Sequence, residues 1–71
     1  MPGGAMEKPL SGKRILIVED EAVFRTLLDN FLVALGAVTS LAEDGLQALE
    51  SLNHTVPDLM ICDLAMPRMN G

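Results

Sequence analysis

The chain has 71 residues, with ten acidic side chains against five basic ones and a formal net charge of -5 at pH 7. That length holds at most one small domain and excludes a multidomain enzyme. With 49% apolar and 21% charged residues, it carries too much hydrophobic material for intrinsic disorder and enough for a small core.

Residues 1–12 contain three of the six glycines and two of the four prolines without apolar periodicity, and read as a flexible leader. From Arg14 the character changes. Ile15-Leu16-Ile17-Val18 is a short, mostly β-branched run cut off by Glu19-Asp20-Glu21, which suits a strand buried on both faces. Val23, Phe24, Leu27, Leu28, Phe31, Leu32 and Leu35 then recur at helical spacing, and Gly36 supplies a C-terminal stop. This stripe is expected to be core. Residues 37–42 form a weaker strand ended by Glu43-Asp44-Gly45. Asp44 and Gln47 have the spacing of a helix N-cap and its capping-box partner, and Leu46, Leu49 and Leu52 make a narrow apolar edge on the helix that follows. After a loop at 53–56, Leu59-Met60-Ile61-Cys62 is a third strand, apolar on both faces and ending at Asp63. Residues 64–71 are loop-like. Strand, helix, strand, helix, strand with apolar runs is the pattern of an α/β parallel sheet.

The five basic residues, Lys8, Lys13, Arg14, Arg25 and Arg68, form no stripe to neutralise phosphates, so direct nucleic-acid binding is not expected and a cation is the expected small partner. The single Cys62 excludes an internal disulfide framework and, without a signal-peptide pattern, favours a cytoplasmic protein. The longest uncharged stretch, 30–42, is too short for the roughly 20 residues of a membrane span, so a soluble protein is expected.

Open parallel sheets bind ligands outside the carboxyl ends of their strands, where strand order reverses. Here those ends carry Glu19-Asp20-Glu21 and Asp63. If the strands are neighbours, the carboxylates converge, and like charges about 4 Å apart repel by roughly 4 kcal/mol at an effective dielectric near 20. Hard oxygen donors of this kind suit Mg²⁺, whereas zinc would call for histidines or thiolates. A carboxylate beside Mg²⁺ can act as nucleophile toward a phosphoryl group, and Asp63 at a strand tip is the natural candidate. Plainer readings stand beside this one. Asp20 fits a helix cap and Asp63 fits turn chemistry. His54 is expected to be a solvated loop residue, Cys62 a small core residue, and Met60, Met66 and Met69 packing or loop anchors. A dinucleotide or P-loop site is excluded because three carboxylates stand where glycines and free N–H groups are needed. Phosphatases of the haloacid dehalogenase type place a second acid two residues after the nucleophile, and here that residue is Ala65.

Residues 13–71 resemble the receiver domains of two-component response regulators. The resemblance rests on Ile15-Leu16-Ile17-Val18-Glu19-Asp20-Glu21, on Asp44-Gly45 with Ala48-Leu49, and on Pro57-Asp58-Leu59 followed by Asp63 and Met66-Pro67-Arg68-Met69-Asn70-Gly71. It implies a flavodoxin-like doubly wound parallel sheet cut after strand three, with phosphorylation of Asp63 by a histidine kinase or small phosphodonor. It also implies Mg²⁺ held by Asp20 directly, Glu19 mainly through water, Asp63, and the backbone carbonyl of Ala65. The function implied is regulatory rather than enzymatic. Leu10 to Gly12, the Glu-Asp-Glu run, Phe24-Arg25, Leu59 to Asp63 and Ala65 to Gly71 are similar, more narrowly, to bacterial adaptors of the stationary-phase sigma factor. That likeness implies a following domain resembling protein phosphatase 2C and, in enteric members, delivery of sigma-S to the ClpXP protease. The family's later strands, with their Ser or Thr, Lys and aromatic switch residue, fall after Gly71. An isolated 71-residue monomer is therefore expected to be marginal, with strand three an unprotected edge that either pairs with a continuing chain or self-associates. A different class stays open: a protein-interaction or dimerisation module whose acidic pocket is vestigial.

Overall fold

The computed structural model describes residues 8–62. The elements run β1 (Arg14–Val18), α1 (Ala22–Ala34), β2 (Val38–Ala42), α2 (Gly45–His54) and β3 (Leu59–Cys62). The three strands form one parallel sheet in the order β2-β1-β3. Arg14 pairs with Val38 through to Val18 with Ala42 on one side of β1, and Ile15 pairs with Leu59 through to Val18 with Cys62 on the other. This is the 2-1-3 order with which a flavodoxin-like sheet begins. No helix among the described residues is long and apolar enough to cross a membrane.

Side chains alternate between the two faces of a strand, and β1 uses both. Ile15 and Ile17 pack with Leu32 of α1 and with Ala37, joined by the partly buried Leu10, Leu28 and Ile61. Leu16 and Val18 pack with Ala42 and with Ala48 of α2, joined by Leu52. The helices therefore lie on opposite faces of the sheet. Ile15, Leu16, Ile17 and Val18 are each at most 1% exposed, and full burial of such side chains contributes about 1.5–3 kcal/mol apiece.

Each helix end has a chemical cause. The N–H of Ala37 donates to the Leu32 carbonyl at 3.1 Å and that of Gly36 to the Val33 carbonyl at 2.9 Å, which is a Schellman motif with Gly36 at φ +100°. Ala37, expected as the first residue of the second strand, instead closes this cap. At α2 the Asp44 carboxylate accepts from the Gln47 N–H, and the Gln47 side chain accepts from the N–H of Glu43, one residue before the cap. The helix runs on through His54, which was expected in the loop.

Part of the expected leader is tied down. The N–H of Leu10 donates to the Leu35 carbonyl at 2.9 Å and that of Gly12 to the Gly36 carbonyl at 3.1 Å, so residues 8–12 satisfy carbonyls at the end of α1.

Two packing expectations are corrected. The α1 stripe is only partly core: Leu32 is buried and Leu28 and Leu35 half-buried, whereas Val23, Phe24, Leu27 and Phe31 are exposed among the described residues. The stripe is broader than the patch that one strand pair offers it. On α2 the inward residues are Ala48 and Leu52, while Leu46 and Leu49 are exposed. The close approach of helix to sheet is made through the small Ala48. As expected for the 71-residue chain, β3 is an edge strand of the described sheet, with Leu59, Met60 and Cys62 exposed and only Ile61 half-buried.

The turn at Gly36 supplies a test. A Cβ there would lie 2.9 Å from the Ser11 Cα and from the Lys8 Cβ, whereas one at Gly12 (φ +77°) would meet nothing within 4 Å. Gly36→Ala is expected to lose the roughly 1–2 kcal/mol of a left-handed backbone plus the cost of displacing the Ser11 backbone. Gly12→Ala should lose only the backbone part. Urea denaturation of the two variants side by side checks the difference, and equal losses would contradict the contact.

Candidate functional site

The order β2-β1-β3 reverses at β1, so the crevice at its carboxyl end, between β1 and β3, is where this sheet can receive a ligand. Glu19 stands at that end. Its N–H donates to the Ala42 carbonyl at 3.0 Å, extending the ladder one residue past β1. The ladder carries the carboxylate inward, and Glu19 is 3% exposed. Its Oε2 accepts from the Glu21 N–H at 3.0 Å, while its Oε1 is buried and has no partner among the described residues. A buried carboxylate oxygen without a donor is costly, and it marks where a cation or water belongs.

The next two acids have different surroundings. Asp20 is exposed. Glu21 is the N-cap of α1, its Oε1 accepting from the Phe24 N–H at 3.0 Å. The reading of Asp20 as a helix cap is therefore corrected: Glu21, in extended backbone three residues before Phe24, takes that role. Asp20 is left as an exposed carboxylate just past the strand end, next to Glu19 in the chain.

Arg25 belongs to the same neighbourhood and was not singled out as a site residue from the sequence. Its Nη1 donates to the main-chain carbonyl of Glu19 at 2.7 Å, and its Nη2 lies 3.8 Å from Oε2 of Glu43, which directly follows β2. The available signal was that Arg25 is the only basic residue on α1 and lies one turn past the N-cap.

On the other side of β1, Val18 pairs with Cys62, the last described residue of β3. Asp63 and Ala65 lie outside the described residues, as do Met66, Met69 and Arg68. Among the described residues no group of three acidic, histidine or cysteine side chains gathers as a metal site. Glu19 and Asp20 nevertheless fit a hard cation, since both offer carboxylate oxygens and one of those oxygens is buried without a donor. Of the other residues weighed from the sequence, His54 and Cys62 are both exposed, so Cys62 is not the core residue expected.

A cleft of about 260 Å³ opens near the opposite end of the sheet, lined by residues that include Arg14, Val38, Ser40, Ser51, Thr55 and Pro57. It holds no carboxylate, and the chemistry of the acid-lined end does not extend to it.

The family model of the response regulator receiver domain matches residues 15–71. The chain belongs to the response regulator receiver family. It is 67% identical over 66 residues to Regulator of RpoS from Escherichia coli K12, across 93% of this chain and 20% of that protein. It is 42% identical over 55 residues to Regulatory protein LuxO of Vibrio parahaemolyticus, across 78% of this chain and 12% of that protein. It is also 37% identical over 79 aligned positions to Probable histidine kinase 2 of Oryza sativa subsp. indica, across 92% of this chain and 8% of that protein. The chain thus spans about a fifth or less of these relatives. The receiver family is one of two-component signalling, and its members regulate. The matched span includes Glu19, Asp20, Asp63 and Ala65.

The buried acid of this receiver supplies a second test. Glu19→Gln keeps the shape and the bond from Glu21 while removing a buried charge that has one hydrogen bond. In the absence of divalent cations the variant is expected to be more stable by about 1 kcal/mol. Thermal melts in chelator would show a raised midpoint, and a lowered one would mean the carboxylate is already compensated within the protein.

Proposed function

We propose that this receiver takes a phosphoryl group on Asp63 with Mg²⁺ held by Glu19, Asp20, Asp63 and the backbone carbonyl of Ala65. The observation that carries the reading is the buried Oε1 of Glu19, without a partner among the described residues, at the switch point of a receiver sheet. Receiver domains generally bind Mg²⁺ at the phosphorylation site. Bound there, the cation would screen the approach of an anionic donor to the carboxylates and stabilise charge on the transferring oxygens.

The chain's own residues do the rest. The Glu19 ladder bond and the Glu21 cap hold the acid run against β1 and α1. A carboxylate oxygen of Asp63 forms the new bond to phosphorus as the bond to the donor's leaving group breaks, giving an acyl phosphate. The donor is a histidine kinase or a small phosphodonor, and the setting is cytoplasmic. The added charge and acceptor oxygens are the signal, read by an output domain or protein partner. The likeness to Regulator of RpoS makes a sigma factor the partner to try first. The modification serves regulation, not turnover of a substrate.

A second reading has its own support. Leu59 and Met60 are 53% and 47% exposed on the edge strand β3, which suits a protein-interaction or dimerisation module with a vestigial acidic pocket. Magnesium separates the two readings. With the whole protein, acetyl phosphate is expected to label the wild type only in the presence of Mg²⁺ and to leave Asp63→Asn unlabelled, by intact mass. Amide resonances near Asp20 should shift on Mg²⁺ titration. Labelling that survives Asp63→Asn, or an Mg²⁺ titration without shifts, would favour the interaction module.

A further inference from the structure

We infer that Arg25 is a positioning residue for the cation site, an inference that rests on the Mg²⁺ reading above. Its side chain is 15% exposed and reaches from the first turn of α1 across the carboxyl end of the sheet. Nη1 lies 2.7 Å from the carbonyl oxygen of Glu19 and Nη2 lies 3.8 Å from Glu43.

The carbonyl it binds belongs to the peptide that joins Glu19 to Asp20. A peptide is planar, so fixing its oxygen fixes the orientation in which both residues leave it. Glu19 is consequently held at three points: its N–H by Ala42 of β2, its carbonyl by Arg25 of α1, and its Oε2 by the Glu21 N–H. The remaining oxygen, Oε1, is the one without a partner among the described residues. The arrangement leaves one acceptor of Glu19 free among the described residues and sets its direction from two neighbouring elements. A planar guanidinium serves two acceptors in different elements at once. A lysine ammonium is a point donor on a flexible stem and does not hold that fork.

Sign distinguishes positioning from charge. A cationic side chain near the site repels Mg²⁺, so on electrostatics alone removal of Arg25 tightens cation binding. Positioning requires the opposite. Mg²⁺ affinity in the whole protein, measured by titration calorimetry and amide NMR, is compared for wild type, Arg25→Met, Arg25→Lys and Glu43→Gln. Arg25→Met keeps much of the stem, and Arg25→Lys keeps stem and charge. Both Arg25 variants are expected to bind Mg²⁺ about tenfold more weakly or worse, the scale of lost support behind a metal ligand. In the metal-free proteins the amide resonances of Asp20 and Glu21 should move while thermal melts stay cooperative. Glu43→Gln keeps the bond to the Glu19 carbonyl and should stay closer to wild type than either. Wild-type affinity in Arg25→Lys, or tighter binding in Arg25→Met, overturns the inference while leaving the Mg²⁺ reading intact. A wild type that binds no Mg²⁺ overturns both. Should Arg25→Met fail to fold, Arg25→Lys decides.

Discussion

Burial of β1 on both faces is the constraint from which the rest of the described structure follows. A four-residue apolar run cannot satisfy two faces unless something covers each, and the alternation of its side chains assigns one isoleucine pair to α1 and the Leu16–Val18 pair to α2. Once the helices are on opposite faces, the right-handed crossover rule for parallel strands leaves little freedom. The strand after α1 pairs on one side of β1, the strand after α2 pairs on the other, and the sheet acquires a switch point at the end of β1. The acidic crevice is therefore a consequence of how the central strand is covered.

The burial of Glu19 has the same origin. The ladder with β2 does not stop where the apolar residues stop but continues through the Glu19 N–H to Ala42. A side chain one step past Val18 in that ladder is still in the core layer, whatever its chemistry. A carboxylate placed there is destabilising in itself, and a small domain has only about 5–15 kcal/mol of stability in total. Such a group is retained where a ligand offsets its cost, which is the physical sense in which a strained or unsatisfied group points to function.

How much of this was legible in the sequence depended on the range over which each signal acts. The β1 run, the Gly36 stop and the Asp44–Gln47 cap are local, and the elements follow them closely. The acid run was also local, and its position at a strand end fixed its place in the fold. The misreadings concern what lies opposite a residue. Apolar periodicity on α1 named seven core candidates, but periodicity gives a face and not the width of the patch it meets; Val23, Phe24, Leu27 and Phe31 fall outside that patch in the described structure. Cys62 was assigned to the core from its apolar run, yet on β3, the edge of the described sheet, it is exposed. Arg25 was invisible for a related reason. Its partner is a backbone carbonyl, and a backbone acceptor leaves no trace in the residue types around it.

Charge is also sorted along the strand axis, and this bears on how such a crevice can serve an anionic donor. Lys13 and Arg14 stand at the amino end of β1, whose first N–H donates to the Asp58 carboxylate, while Glu19, Asp20 and Glu21 follow β1 in the chain and Glu43 and Asp44 follow β2. Among the described residues Arg25 is the basic group bonded at that acidic end, and its guanidinium is engaged with a carbonyl and a carboxylate. The described part of the crevice thus presents negative charge to an approaching phosphoryl group. Two anions at such range repel by kilocalories rather than tenths. On the phosphoacceptor reading proposed above, such an end takes part in phosphoryl transfer only with a cation bound, so cation occupancy and receptivity to phosphate would be one condition and not two. A group that fixes the Glu19 main-chain carbonyl rather than the Glu19 carboxylate, the role inferred for Arg25, would preserve that dependence.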